Sequence, residues 1–278
     1  MTLNPKTRNL FIRTASGIVY VALMVAAVFT PWVAVPLMLF FAFVGLYEFY
    51  KLCNDPSLRS HLGFWIVAAG CLIECLLNKE ILNMEGVSSM PWTLMACIAG
   101  FCIFLPELIA KSEHAMSHVG LGFLSQMWIV IPLCVLFFIW IPQQPALVLA
   151  FLILIWMSDT AAYVFGSLFG KHKLAPNISP GKTWEGFICS CVFTVGLAIG
   201  LSYIPFFQQA GMPLWGWIVF ALIIQVFGLM GDLTESLFKR KAGVKDSGNI
   251  IPGHGGVLDR VDSILFATIP AYLFSVCF

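Results

Sequence analysis

From Gly228 to Ser263 the chain reads GLMGDLTESLFKRKAGVKDSGNIIPGHGGVLDRVDS. The stretch holds Asp232, Glu235, Asp246, Asp259 and Asp262, from a total of 14 acidic residues, and Lys239, Arg240, Lys241, Lys245 and Arg260, from a total of 15 basic ones. Asp259 and Asp262 are three apart at the start of an expected helix and share one face, where the helix dipole favours negative charge. Asp232 and Glu235 repeat that spacing near the end of the preceding apolar run, with Ser236 on the same face. If the two helix ends met, several carboxylates would occupy a small volume, and they could not all stay ionised without cations. Hard oxygen donors of this kind suit Mg²⁺, which commonly binds one or two carboxylates together with substrate phosphates. Carboxylates that are merely solvated, or paired with Arg260 and Lys239, are the other reading, and residue types alone leave both open.

The segment Pro252-Gly253-His254-Gly255-Gly256 lies between these groups. Glycines let backbone N–H groups come close to a phosphate, and His254 would bond that phosphate or order the loop. Lys239, Arg240, Lys241 and Lys245 would neutralise phosphates or attract anionic headgroups. A second polar segment, Gly170 to Gly186, contains Gly181-Lys182-Thr183, which imitates the end of a P-loop. The P-loop pattern needs a glycine where Pro176 stands, and it follows a strand rather than an apolar helix. The remaining features are Ser179, Lys182, Thr183 and Glu185 at a helix start, where Ser179 or Thr183 would cap the helix and Lys182 would meet a phosphate. Asp159 lies inside an apolar span, where an ionisable group usually faces a polar cavity. Glu74 is a weaker case of the same kind; so is Glu48, which is expected near an inner helix end, within reach of water.

The elements that must hold these residues are membrane helices. The chain has 278 residues, is 60% hydrophobic and only 10% charged, against about 25% charged for soluble domains. A net charge of +1 supplies no basic field for nucleic acid. The 9 cysteines form no zinc-type spacing and fall mostly in apolar runs, so a disulfide framework is not expected. An all-α, polytopic fold with about nine spans follows, at roughly 15–30, 33–50, 62–78, 91–109, 120–140, 146–166, 185–205, 214–234 and 261–278. The basic N-terminus before Gly17–Phe29 imitates a secretory signal, but the immediate succession of spans favours an uncleaved first helix. With the N-terminus placed in the cytoplasm, 14 of the 15 bases fall on that side and only Lys79 on the other, a strong positive-inside bias. The whole chain, 1–278, reads as one membrane domain, with N-terminal helices over 1–140 and the polar loops over 141–278.

Ser236 to Asp262 resembles the signature of the phosphatidate cytidylyltransferases, or CDP-diacylglycerol synthases. The matching residues are Ser236, Phe238, Lys239-Arg240, Lys245-Asp246, Gly248, Ile251-Pro252, His254-Gly255-Gly256 and Asp259-Arg260-Val261-Asp262. The likeness extends more thinly to Ser158-Asp159 and to Ser179–Gly186. It implies a membrane enzyme that joins CTP to phosphatidic acid, giving CDP-diacylglycerol and pyrophosphate. It also implies Mg²⁺ with K⁺ beside it, a homodimer in the cell inner membrane, and a site open to the cytoplasm. Carried across by position, Asp232, Asp259 and Asp262 are the metal ligands. Asp246 would orient a base or ligand. Lys239, Arg240, Lys245, Arg260 and Lys182 would bind phosphates and His254 would support its loop. Ser179, Thr183, Glu185, Asp159, Ser236, Gly255 and Gly256 complete the expected substrate surface.

The chemistry fits that implication independently. A phosphate monoester is an adequate nucleophile, and the main barrier is repulsion between two anions, which metals and bases relieve. A transporter would account for the spans and for Asp159. It would place its site near the bilayer midplane, whereas the charge here crowds the loops. A related enzyme that uses a different lipid phosphate is a closer rival. The CDP-alcohol phosphotransferase pattern, with two later aspartates four apart, is not met by Asp259-Arg260-Val261-Asp262.

Overall fold

The computed structural model describes residues 5–53, 114–251 and 255–278. Helices dominate: α1 (Pro5–Phe29), α2 (Pro31–Leu52), α3 (Ala115–Gln143), α4 (Pro145–Phe169), α5 (Trp184–Ser202), the short α6 (Pro205–Gln208), α7 (Leu214–Lys241) and α8 (Leu258–Ser275). Pro31 and Pro145 open their helices, where the missing N–H would have had no intrahelical partner. Inside α3, Pro132 cannot donate to the ladder, and the helix widens into π turns at Gln126–Val130 and Val135–Trp140.

Six of the described helices are long and apolar enough to cross a membrane: Phe11–Phe29, Pro31–Leu52, Ala115–Gln143, Pro145–Phe169, Trp184–Ser202 and Leu214–Lys241. Of the nine expected spans, 62–78 and 91–109 lie outside the described residues. The last, α8, is helical where expected but carries Asp259, Arg260 and Asp262 in its opening turns. A mostly helical chain with six candidate membrane-spanning helices among the described residues agrees with the polytopic class, and the count of nine is not reached among them. Large apolar side chains such as Ile18, Val19, Trp32, Ile188 and Val192 are exposed, as lipid-facing residues are, since lipid tails are as apolar as they are.

The chain divides into two compact units. The first comprises residues 1–138 and 247–258. In it α1 packs on α2, and the buried face of α2 (Met38, Phe41, Leu46, Phe49) meets α3. Trp128 lies edge-on to Phe49, with centroids 5.9 Å apart, and the Tyr50 hydroxyl shares a 3.0 Å hydrogen bond with Ser125.

The second unit comprises residues 139–246 and 259–278. Its core is Trp140 among Phe151, Phe220 and Tyr272. Small residues bring its helices close. A Cβ on Gly186 would lie 2.8 Å from the Ala162 carbonyl oxygen, and one on Gly231 would overlap the Asp262 carbonyl oxygen. Close approach through small residues is how membrane helices pack in the absence of a hydrophobic driving force between them. Gln225 on α7 supplies polar contact with α5: its amide nitrogen donates to Ser190 Oγ at 2.6 Å and its oxygen accepts from Thr194 Oγ1 at 3.2 Å.

One feature departs from the all-α expectation. The connection from α4 to α5 forms a small antiparallel pair, β1 (Lys173–Ala175) with β2 (Ser179–Thr183). Pro176 and Asn177 supply the reversal between the strands. Ser179 therefore belongs to a strand, and the cap of α5 is Thr183, which accepts from the Gly186 N–H at 3.3 Å. α7 also runs on to Lys241, beyond the apolar stretch ending near 234, with Lys239, Arg240 and Lys241 in its last turn. Cations there are favoured by the helix dipole.

Candidate active site

The second unit gathers the clustered carboxylates of α7 and α8 and the lysine of β2. Extension of α7 places Asp232, Glu235, Ser236 and Lys239 on successive turns of one helical face. Ser236 Oγ donates to Asp232 Oδ1 at 3.2 Å, and Lys239 Nζ donates to Glu235 Oε2 at 2.5 Å, both across four residues. Lys239 also donates to Asp259 Oδ1 on α8 at 2.5 Å. Lys182 reaches from β2 to Asp232 Oδ2 at 2.5 Å. Three segments far apart in sequence are thus tied together by two ammonium groups.

The packing beneath explains the reach. Gly166 and Gly170 leave room for the Thr183 side chain, and Gly186 sits against α4; this fixes the end of β2 and hence Lys182. Gly231 lets α8 lie directly on α7, one residue from Asp232. The hairpin is held by Glu185, whose carboxylate accepts from the backbone N–H groups of Lys171 at 3.0 Å and His172 at 3.1 Å and from His172 Nδ1 at 2.5 Å. Arg240 closes the other side, its Nε donating to the Ile178 carbonyl at 3.3 Å.

The electrostatics are uneven. Asp262 is buried, with Oδ1 accepting from the Ser263 N–H at 2.7 Å. Asp232 and Asp159 are close enough to act electrostatically on it and on each other, with Lys182 and Arg260 opposing them at Asp159. Glu235 is 1% exposed, and its Oε1 is buried with no hydrogen-bond partner among the described residues. Asp259 and Asp262 both repel it. A buried carboxylate oxygen with nothing to accept from, beside further carboxylates, is an excess of hard acceptor positions.

That donor set fits a hard cation such as Mg²⁺ in kind. Among the described residues, however, no three acidic, histidine or cysteine side chains converge closely enough to hold a metal. The two lysines take up the oxygens instead, so the pairing alternative at Lys239 describes Asp259 as it stands here. Asp159, expected to face a polar cavity from within a span, lies on α4 with an accessible side chain in reach of the charges of Asp232, Lys182 and Arg260. Lys245 and Asp246 are exposed after α7, and Arg260 is exposed on α8. Pro252, Gly253 and His254 lie outside the described residues, as does Glu74.

The other signature segment, 247–258, belongs to the first unit. It folds back through an Ile251–Gly255 bridge, with Gly255 at φ 86°, in the left-handed region that favours glycine. Gly256 is buried. Glu48 corrects a sequence expectation: it does not reach water but is buried, accepting hydrogen bonds from this segment. Its partners lie about 200 positions away in sequence, and an isolated acidic residue near a helix end gives no sign of them.

Residues 11–278 match the model of the cytidylyltransferase family. The chain is 34% identical over 247 residues to a phosphatidate cytidylyltransferase of Staphylococcus saprophyticus, covering 81% of this chain and 83% of that protein. It is 34% identical over 228 residues to the protein of the same name from Staphylococcus aureus, covering 78% and 77%. With that of Staphylococcus epidermidis it shares 30% identity over 247 residues, covering 83% and 86%.

Proposed function

The chain belongs to the cytidylyltransferase family, and from that premise we propose how its own residues carry out the transfer. Membership of the phosphatidate cytidylyltransferases implies the reaction: CTP and phosphatidate give CDP-diacylglycerol and pyrophosphate. The protein is a nucleotidyltransferase of phospholipid synthesis, with its lipid substrate held in the membrane its helices span.

The lipid phosphate oxygen attacks the α-phosphorus of CTP in line. The new P–O bond forms as the bond from that phosphorus to the bridging oxygen of the β-phosphate breaks, and the electron pair leaves with pyrophosphate. No base is required, because the monoester is already ionised at neutral pH. What is required is cancellation of charge between two anions. Lys182 and Lys239 are flexible cations with three donors each. They leave the carboxylates and move onto phosphate oxygens as substrates enter. Arg240, Lys245 and Arg260 add further positive charge at the rim. Asp232 and Asp259 become available as the lysines leave and, together with the buried Asp262, would hold Mg²⁺, and Glu235 lends the buried oxygen that lacks a donor. Bound Mg²⁺ would neutralise charge on the reacting phosphates and on the leaving group. Asp159 and Ser236 line the approach, with K⁺ as a second cation. Glu185 and Thr183 hold the hairpin that presents Lys182, with Ser179 in the same strand. Asp246, and His254 with Gly255 and Gly256, order the loop around the nucleotide. The bias of bases supports a site on the cytoplasmic face, and a homodimer completes the reading.

The observation that carries it is the linkage of Lys182 to Asp232 and of Lys239 to Asp259. Bases suited to phosphate already lie against carboxylates of the expected metal-ligand set. The test is Mg²⁺-dependent release of pyrophosphate from CTP by purified protein with phosphatidate, with formation of CDP-diacylglycerol. Asp259→Asn should abolish it while the protein still inserts in membranes. Unchanged turnover in that variant would remove the metal assignment, and no consumption of CTP with any lipid phosphate would overturn the reaction.

A further inference from the structure

We infer that Glu48 is a positioning residue for the reaction: a membrane-helix carboxylate that pins both ends of the 247–258 loop and thereby sets the start of the helix carrying Asp259 and Asp262. The inference rests on the proposed roles of those aspartates. Glu48 is 1% exposed, near the end of α2. Its Oε2 accepts from Ser247 Oγ at 2.9 Å and from the Leu258 N–H at 2.8 Å, and its Oε1 accepts from the Val257 N–H at 3.1 Å. Ser247 begins the loop and Leu258 ends it. One carboxylate therefore closes a ring of backbone between residues 247 and 258.

The chemistry at Leu258 is specific. Leu258 is the first residue of α8, and the first N–H groups of a helix have no partner within it. A carboxylate there satisfies one of them and complements the dipole. Asp259 is the next residue along the chain. The glycines on each side are explained by the same group. The three atoms nearest a Cβ on Gly248 all belong to Glu48, and a Cβ on Gly256 would overlap Ser247, Glu48 and the Gly248 backbone nitrogen. A carboxyl group at a membrane-helix end, buried and given three donors, is too costly to serve as filler.

The isosteric amide cannot replace it. Val257 and Leu258 donate to different oxygens of Glu48. In glutamine one of those positions becomes an NH₂, and donor would face donor. Glu48→Gln should therefore release one end of the loop without changing side-chain volume.

The experiment uses full-length protein in detergent, with CTP, phosphatidate and Mg²⁺ as probes. In Glu48→Gln, kcat should fall about tenfold or more and Mg²⁺ binding measured without substrate should weaken by a similar factor, as for residues that orient metal ligands. The KM for phosphatidate should stay near the wild-type value, and amide exchange should speed up in peptides covering 247–258. Gly248→Ala should lower activity in wild type but have no further effect in Glu48→Ala, where the obstructing carboxylate is gone. If Glu48→Gln lowers thermal stability but leaves kcat per folded molecule unchanged, the residue is structural only and the inference fails. It fails too if exchange over 247–258 is unaltered, or if Gly248→Ala costs the same factor in both backgrounds. Wild-type protein that releases no pyrophosphate would overturn the proposed reaction, and the exchange and Mg²⁺-binding measurements would still decide for or against Glu48.

Discussion

Lys239 Nζ lies 2.5 Å from a carboxylate oxygen of Asp259, joining the polar end of α7 to the first turn of α8. The same ammonium holds Glu235 at 2.5 Å, so one cation serves two carboxylates, and all three side chains are largely buried. Such a triad sets the geometry of two helices more than it adds net stability, because dehydrating the charges offsets most of their attraction. Its strength shows when one member is lost.

Lys239→Met should destabilise the protein strongly, by about 3–5 kcal/mol, the range for removing one partner of a buried ion pair. Both Glu235 and Asp259 would lose the Lys239 ammonium. Lys239→Met combined with Glu235→Gln should recover part of that loss, since one of the stranded charges is removed. Thermal unfolding in detergent micelles reads both variants; equal melting temperatures for the single and double variants would refute the coupling.

Gly231 offers a steric test. A methyl group there would overlap the Asp262 carbonyl and come within 2.8 Å of Phe266 Cβ. Gly231→Ala should push α8 from α7 and cost about 1–3 kcal/mol, as overpacking does. It should also reduce activity, since Asp232 and Asp262 flank that contact. Gly196 on α5 is the control: nothing lies within 4 Å of its added Cβ, and Gly196→Ala should be neutral or stabilising by up to about 1 kcal/mol. Paired melting curves and turnover numbers check both.

Much of this arrangement was legible from the sequence, for physical reasons that differ by residue. Long apolar runs can only be buried or face lipid, so α1, α2, α4, α5 and α7 were readable from hydropathy. The spacing of Asp232 with Ser236, and of Asp259 with Asp262, is a local helical property and was equally readable. The end of α7 lies beyond its apolar stretch because hydropathy marks where apolar character stops, whereas a helix continues while its backbone bonds are made; Glu235 and Lys239 pair across its last turns. The β1–β2 pair leaves no trace in the sequence pattern because its strands are too short to show alternation. The burial of Glu48 is not legible locally, because its donors, Ser247, Val257 and Leu258, come from the far end of the chain, and no local signal reports a long-range carboxylate cap.

The contact between α5 and α7 should prove tolerant. Gln225 bonds Ser190 and Thr194, and Ser190 also donates to the Phe187 carbonyl at 2.8 Å. Polar contacts between membrane helices contribute only about 0.6 kcal/mol on average. Gln225→Leu should therefore lower the melting temperature slightly and leave turnover near wild type. A loss of turnover greater than tenfold would place this contact in the working part of the molecule.

Lys182 should have opposite effects on cation and nucleotide. Its ammonium lies 2.5 Å from Asp232 Oδ2, with both side chains part-exposed. An ammonium and a metal ion compete for the same carboxylate oxygen. Lys182→Met should thus tighten Mg²⁺ binding in the absence of CTP, by up to about tenfold, which corresponds to about 1.4 kcal/mol. It should at the same time lower kcat/KM for CTP by about tenfold or more, because a charge-assisted donor to phosphate is lost. Lys182→Arg should keep the competition with Mg²⁺ but restore little activity, since a planar fork does not substitute for a compact ammonium at this spot. Calorimetry with Mg²⁺ alone and steady-state kinetics with CTP give the two readings separately. If Lys182→Met weakens Mg²⁺ binding and CTP use together, Lys182 supports the metal site instead of exchanging with it, and the lysine transfer onto phosphate is wrong.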